Sequence, residues 1–152
     1  MKVKSKSPWT PESAPSFWIN HASRTLMRRF EQRLRPLGFG MAYFPVVIAL
    51  EENGSLLQKE LARLANIEQP TMAALLIRME RDELIVREPH LTDKRASWIS
   101  LTAKAKARLP EAKEIMRQVS GSAISGFNES ERTMFLQLLQ RVAKNLDEPI
   151  EH

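Results

Sequence analysis

The 152-residue chain contains no cysteine. Disulfides, thiolate nucleophiles, iron–sulfur ligation and cysteine-based redox sensing are therefore excluded within it. It has no apolar run near the ~20 residues that span a bilayer, and its start lacks the apolar core of a signal peptide. A cytoplasmic protein with no membrane partner is the expectation. Its three histidines, His21, His90 and His152, lie far apart in sequence, and no His/Asp/Glu cluster has metal-ligand spacing. No glycine-rich loop could cradle a phosphate, and the serines of "SGSAISG" lack a paired base. These gaps argue against an enzyme and against a bound metal or cofactor.

What is present is basic and mostly helical. The net charge of +5 is unevenly spread: residues 1–35 carry eight Lys/Arg against two acids, and residues 58–106 nine against seven. Such a balance suits a polyanionic partner, although solvated helix faces give similar totals. Residues 1–15 hold three lysines and three prolines without periodicity and read as a flexible basic arm. From Phe17 onward, Trp18, Ala22, Leu26, Phe30 and Leu34 recur every four residues, predicting a helix that Pro36 and Gly38 end. A second helix is expected from about Met41 to Glu52, before the turn signal Asn53-Gly54.

Leu57, Leu61 and Leu64 predict a short helix ending near Asn66. After a break at 67–69, Met72, Leu75, Leu76 and Met79 form the i, i+3, i+4, i+7 stripe of another, with Pro70 in its first turn. Two helices so spaced fit a helix-turn-helix, and equally an ordinary helical hairpin. Leu84–Glu88 and Ser97–Leu101 are short, rich in Ile, Val and Trp, and read as the strands of a β-hairpin. Thr102 would cap a helix running to Phe127, about 39 Å long with a bend at Pro110. Its apolar face would run from Ala105 through Leu109, Ala112, Ile115 or Met116, Val119 and Ala123 to Phe127. Asn128 and Glu131 resemble a capping box for a last helix, striped by Met134 or Phe135, Leu138, Leu139, Val142 and Leu146.

A hairpin directly after a helix-turn-helix is a wing. This order, with "QKELARLANIEQPTM", "RMERDELIVR" and the wing pattern Asp93, Arg95, Leu101 and Thr102 within "HLTDKRASWISLT", resembles the MarR family of winged helix-turn-helix transcription regulators. The likeness runs from residue 17 to 146. It implies a mainly α protein with a small β-hairpin wing: a winged helix-turn-helix domain plus a helical dimerisation region. Residues 1–15 would be the arm, 16–40 and 102–148 the dimerisation region, and 41–101 the DNA-binding region. The resemblance further implies a homodimer that places its fourth helix in the major groove and its wing near the minor groove. Family members often release DNA when a small aromatic or phenolic molecule binds. The chain departs from the family in having Glu83 where glycine is common, a place that would suit a left-handed helix cap. Its "MAYFP" also lacks the Thr and Gln often found at the start of the second helix.

The residues themselves support contact with double-stranded DNA. A hairpin tip is narrow enough for a minor groove, and the Arg95 guanidinium is favoured by the negative potential of a narrow one. Asp93, repelled by phosphate, would instead fix Arg95, while Lys94 would meet phosphate; the bland alternative is a surface ion pair worth ~0–1 kcal/mol. On the presumed recognition helix, Gln69, Thr71 and Arg78 avoid the apolar stripe, and Pro70 lies between them; Gln and Arg bind bases and phosphates alike. Helix capping is the competing role for Gln69 and Thr71. Trp98 is expected to pack at the wing base. For a small aromatic effector, Trp18, His21, Arg24, Tyr43 and Phe44 are the candidate pocket residues, although Trp18 could simply fill a dimer core. The long helix and the Trp18–Leu34 stripe exceed what so small a domain can bury, which favours a homodimer on a palindromic operator. The resulting reading is a dimeric regulator, a repressor released by ligand. Its rival is a dimeric architectural or partner-binding protein without an effector.

Overall fold

Pro15 opens the first helix, α1 (Pro15–Leu34), at a position where its missing N–H costs nothing. The computed structural model describes residues 8–148. Residues 1–7 of the expected arm, and His152, lie outside that span. Within the rest of the arm, Pro11–Ser13 form a 3-10 turn, and the Trp18 indole N–H donates to the Glu12 carbonyl at 2.9 Å. Regular structure thus begins a few residues before the expected boundary. The α1 stripe is divided: Phe30 and Leu34 are buried, whereas Trp18 is 55% exposed. Arg35–Leu37 tighten into a 3-10 turn, and Gly38 reverses the chain at φ 79°. A further 3-10 turn, Met41–Tyr43, leads into α2 (Phe44–Asn53), which buries Val46, Val47, Ala49 and Leu50.

The next element is one the sequence did not announce. Ser55–Leu57 form a strand, β1, pairing antiparallel with Trp98–Ser100. The sheet therefore has three strands in the order β1-β3-β2, with β2 at Ile85–Pro89 and β3 at Ser97–Leu101, rather than being a two-stranded hairpin. Three residues are too few for an alternating pattern to show. They are extended because β3 offers them an unpaired edge.

Between β1 and β2 lie α3 (Gln58–Leu64) and α4 (Gln69–Arg81). Leu57 has no side-chain acceptor, so Glu60 reaches back and accepts its N–H at 2.8 Å. Asn66, at φ 52°, takes the left-handed turn between the helices, a conformation Asn tolerates. The α4 stripe packs as expected: Met72, Leu75, Leu76 and Met79 are all buried, against a core that includes Leu34, Leu50, Leu61, Leu84, Ile85 and Ile99. Leu64, by contrast, stays exposed.

Where α4 ends, Glu83 does occupy the left-handed region, at φ 60°. That costs a non-glycine residue about 1 kcal/mol. Its carbonyl accepts the Thr102 hydroxyl at 2.7 Å and its carboxylate pairs with Lys104 at 2.7 Å, which offsets the strain. The same Thr102 oxygen accepts the Ala105 N–H at 3.0 Å, capping α5 (Ala103–Ala123). Replacing Thr102 by Ala is therefore expected to cost ~1–2 kcal/mol, and Thr102→Ser much less. Equal urea midpoints for wild type and Thr102→Ala, at one protein concentration, would contradict this.

Helix α5 is shorter than its apolar pattern suggests. Ala105, Leu109, Ala112, Ile115 and Val119 are buried, but the helix stops at Ala123 and Gly126 turns at φ 85°. Ala123 and Phe127 are exposed rather than continuing the face. Asn128 and Glu131 then make the expected capping box, at 2.8 and 2.9 Å, and start α6 (Glu129–Asp147). No residue of α6 is buried, and Met134, Phe135, Leu138 and Leu139 stand exposed. No single helix among the described residues is long and apolar enough to cross a membrane.

Candidate nucleic-acid interface

Burial of the α4 stripe turns the opposite face of that helix outward. Gln69, Pro70, Thr71 and Arg78 are all exposed. The cap position belongs to Glu68, which makes no side-chain cap bond, so neither Gln69 nor Thr71 caps the helix. Gln69 lies 3.5 Å from the Gln58 amide, at the upper limit of a hydrogen bond. A cavity of about 330 Å³ between the start of α4 and the wing is lined by Gln58, Lys59, Gln69, Asp93 and Arg95. The fold thus brings Gln69 together with the wing residues Asp93 and Arg95, which lie more than twenty positions later in the chain.

The wing is fixed to α4 by Arg87 on β2, whose Nε donates to Glu80 at 2.6 Å. At the tip, the Asp93 carboxylate accepts the Arg95 backbone N–H at 2.9 Å. Its distance to the Arg95 guanidinium is 3.9 Å, and that side chain is 96% exposed. Asp93 therefore shapes the backbone turn rather than holding the guanidinium's direction as expected. Lys94 is also exposed. Trp98 packs within the wing, its ring stacked on His90 with centroids 5.7 Å apart. His90 was not singled out from the sequence. Its position three residues before Asp93, where a side-chain acceptor can reach the backbone of a turn, was the available signal.

Arg78 lines a separate cavity of about 370 Å³ with Tyr43, Asp82, Glu31 and Arg35. There the Tyr43 hydroxyl donates to Asp82 at 2.7 Å, and Arg81 donates to the same carboxylate at 3.1 Å. These two bonds, Tyr43's first, hold the Asp82 carboxyl below its ordinary range, while burial and the same hydrogen bond push the Tyr43 phenol up. The tie joins the start of α2 to the end of α4. It is complete at neutral pH and on the acid side persists until Asp82 protonates, below the usual carboxylate range.

The five effector candidates are not assembled into one pocket in the chain. Trp18, His21 and Arg24 are exposed on α1, where the Trp18 and His21 rings meet edge to face with centroids 6.1 Å apart. Tyr43 and Phe44 are buried, because the turn at Gly38 carries them into the core. Tyr43 lines the cavity shared with Asp82, with its hydroxyl already engaged. Phe44 lines a larger groove of about 660 Å³ with Pro45, Ile48, Leu64, Met116 and Lys113.

Residues 41–97, from the 3-10 turn before α2 to the first residue of β3, match the model of the MarR family. YwoH of Bacillus subtilis, an uncharacterized HTH-type transcriptional regulator, is 25% identical over 122 residues, covering 80% of this chain and 88% of that protein. Among solved structures, the organohalide-sensing RdhR-CbdbA1625 regulator in its 2,4-dichlorophenol-bound form superposes with a TM-score of 0.77 at 22% identity, covering 95% of this chain and 89% of that one. A mutant MarR from E. coli, complexed with operator DNA, superposes with a TM-score of 0.73 at 20% identity, covering 90% and 99%. The helix-turn-helix and the wing up to the start of β3 thus lie in the segment that matches the MarR family, and the fold over most of the chain is that of the MarR-type structures.

Proposed function

We propose that the protein acts as a homodimeric repressor on a palindromic operator, each protomer placing α4 in a major groove and its wing in the adjacent minor groove. One observation carries this reading: the polar start of α4 and the Arg95 wing tip line a common cleft, with the guanidinium unshielded. Gln69, Thr71 and Arg78 would meet base edges or phosphates, Pro70 would set the helix start, Lys94 would meet phosphate, and Arg95 would enter the minor groove. Asp93 supports the wing by closing its turn. The test is a gel-shift titration at fixed salt, on a duplex selected for tight binding from a random pool. Arg95→Ala is expected to weaken binding by ~1–3 kcal/mol and leave folding intact. Asp93→Ala should cost less, since the cation remains. Unchanged affinity for Arg95→Ala would refute the reading.

A small aromatic or phenolic acid is the proposed releasing ligand. The related regulator solved with 2,4-dichlorophenol supports that class of chemistry. The Phe44-lined groove, with apolar walls and with Lys113, paired to Glu51, among its lining residues, suits it better than the dispersed set of Trp18, His21, Arg24 and Tyr43. Ligand binding would release DNA only by favouring a dimer spacing that misplaces the two recognition helices. Titration of aromatic acids should quench or shift tryptophan fluorescence while freeing the duplex. If a chemically broad panel leaves both unchanged, constitutive repression is the better description.

A further inference from the structure

The wing tip is organised around one imidazole. His90 Nδ1 faces the backbone N–H of Asp93 at 3.1 Å, the backbone N–H of Thr92 at 3.3 Å and the Thr92 hydroxyl at 3.3 Å. Backbone amides only donate, so Nδ1 must present its lone pair and the ring proton must sit on Nε2. The ring lies nearly parallel to Trp98, at 20° between planes. The backbone closes the same turn: His90 N–H donates to the Ala96 carbonyl and Ala96 N–H to the Asp93 carbonyl. Asp93 in turn accepts the Arg95 N–H. The chain of contacts therefore runs from the His90 ring, through the Asp93 amide and carboxylate, to the backbone that carries the Arg95 guanidinium.

We infer that His90 is a positioning residue for the DNA-reading wing, with its neutral Nδ1 as the acceptor that holds the Thr92–Arg95 turn, and that protonation of the ring loosens this turn. A protonated imidazole is a donor at both nitrogens. It cannot accept from the two amides. Nδ1–H would turn to the Thr92 hydroxyl, the one partner able to accept from it, and the Asp93 amide would be released. Charged side chains of both signs surround the ring's elements: Asp93, Lys94 and Arg95 in the tip, and Glu88 on β2, paired with Trp98 in the ladder. Arg87 on β2 is occupied by Glu80, and β3 contributes no titratable side chain. On DNA, the added positive charge would strengthen attraction to any phosphate backbone. Acid should therefore lower affinity for the selected site while leaving affinity for arbitrary sequence unchanged or raised. Loss of discrimination, not loss of binding, is the signature.

The inference rests on the reading of Arg95 as a DNA contact, and the experiment keeps the two apart. Full-length protein is titrated against the selected duplex and a scrambled duplex of equal length, at about pH 8 and about pH 5.5, which span the ordinary histidine range. The ratio of the two affinities is expected to fall roughly tenfold on acidification. His90→Asn supplies a non-titrating acceptor oxygen near Nδ1; it should keep most of the discrimination at high pH and abolish its fall. His90→Phe preserves the stack on Trp98 but offers no acceptor; it should discriminate as poorly at high pH as wild type does at low pH. If His90→Phe matches wild type, or if the acid loss persists in His90→Asn, the positioning role is overturned. Silent His90 variants beside a weakened Arg95→Ala would remove only the inference. A silent Arg95→Ala would remove the DNA-contact reading itself. In DNA-free protein, the Thr92 and Asp93 amide resonances should shift with the His90 ring resonances as pH falls, and amides that stay fixed would also overturn the inference.

Discussion

Raising the monovalent salt from about 50 to about 200 mM is expected to weaken binding to the selected duplex by roughly a thousandfold. Arg78, Lys94 and Arg95 are exposed and are the proposed DNA-contacting cations, and two-fold symmetry doubles them to about six cationic contacts. Each neutralised phosphate releases condensed counterions, so the slope of log affinity against log salt should be near −5. Lys94→Ala should make that slope less steep by about two per dimer and weaken all sequences alike, whereas Arg95→Ala should also relax preference at the positions the wing reads. A slope near zero would leave no place for this charged surface in binding. The overall charge of +5 is too small and too scattered for its total alone to produce so steep a dependence.

The second large effect concerns α6. An isolated helix in water is marginal, and α6 buries none of its residues against its own chain, although Phe135, Leu138, Leu139 and Val142 share one face. Earlier in the chain, Trp18, Ile19 and Met27 of α1 are exposed as well. A second copy is the partner that would cover these faces symmetrically. Leu138→Asp with Leu139→Asp would place two carboxylates in that contact and remove side chains each worth ~1.5–3 kcal/mol when buried, and symmetry would double the loss. Light scattering at micromolar concentration should show a dimeric wild type and a monomeric variant. The variant's affinity for the full palindrome should fall by ~10²- to 10⁴-fold, because the second half-site is no longer held nearby. A monomeric wild type, or a variant that keeps the dimeric mass, would overturn the dimer.

The limits of the sequence reading follow from where each residue finds its partners. Met72, Leu75, Leu76 and Met79 were legible because a helix writes its buried face into local spacing, and all four are buried. Thr102 and Asn128 were legible for a similar reason: a cap is completed within three residues. Ser55–Leu57 were not, since their strand exists only through pairing with residues more than forty positions away. The α5 face was read too far because Ala123 and Phe127 keep its spacing after the backbone has turned at Gly126. The effector candidates lie dispersed within the chain for the converse reason. Proximity in sequence placed Tyr43 near Trp18 and Arg24, whereas Gly38 and the 3-10 turn at Met41–Tyr43 direct its hydroxyl to Asp82.

Thr102 also has a consequence for anyone who would rebuild this molecule from parts. One hydroxyl ties the carbonyl ending the α4 segment to the first turn of α5, while the Thr102 amide donates to Leu84 and Lys104 bridges to Glu83. The residues on either side of the apparent seam at 101–102 therefore share a single hydrogen-bonded joint. A chimaera that grafts the winged helix-turn-helix onto another protein's helices should not be spliced at that seam. Cutting there would pair a foreign residue with Glu83 at its left-handed turn and leave α4 without its reference to α5. Splices placed beyond Ala105, carrying Glu83, Thr102 and Lys104 together, keep the joint whole and let the donor half be exchanged as a working unit.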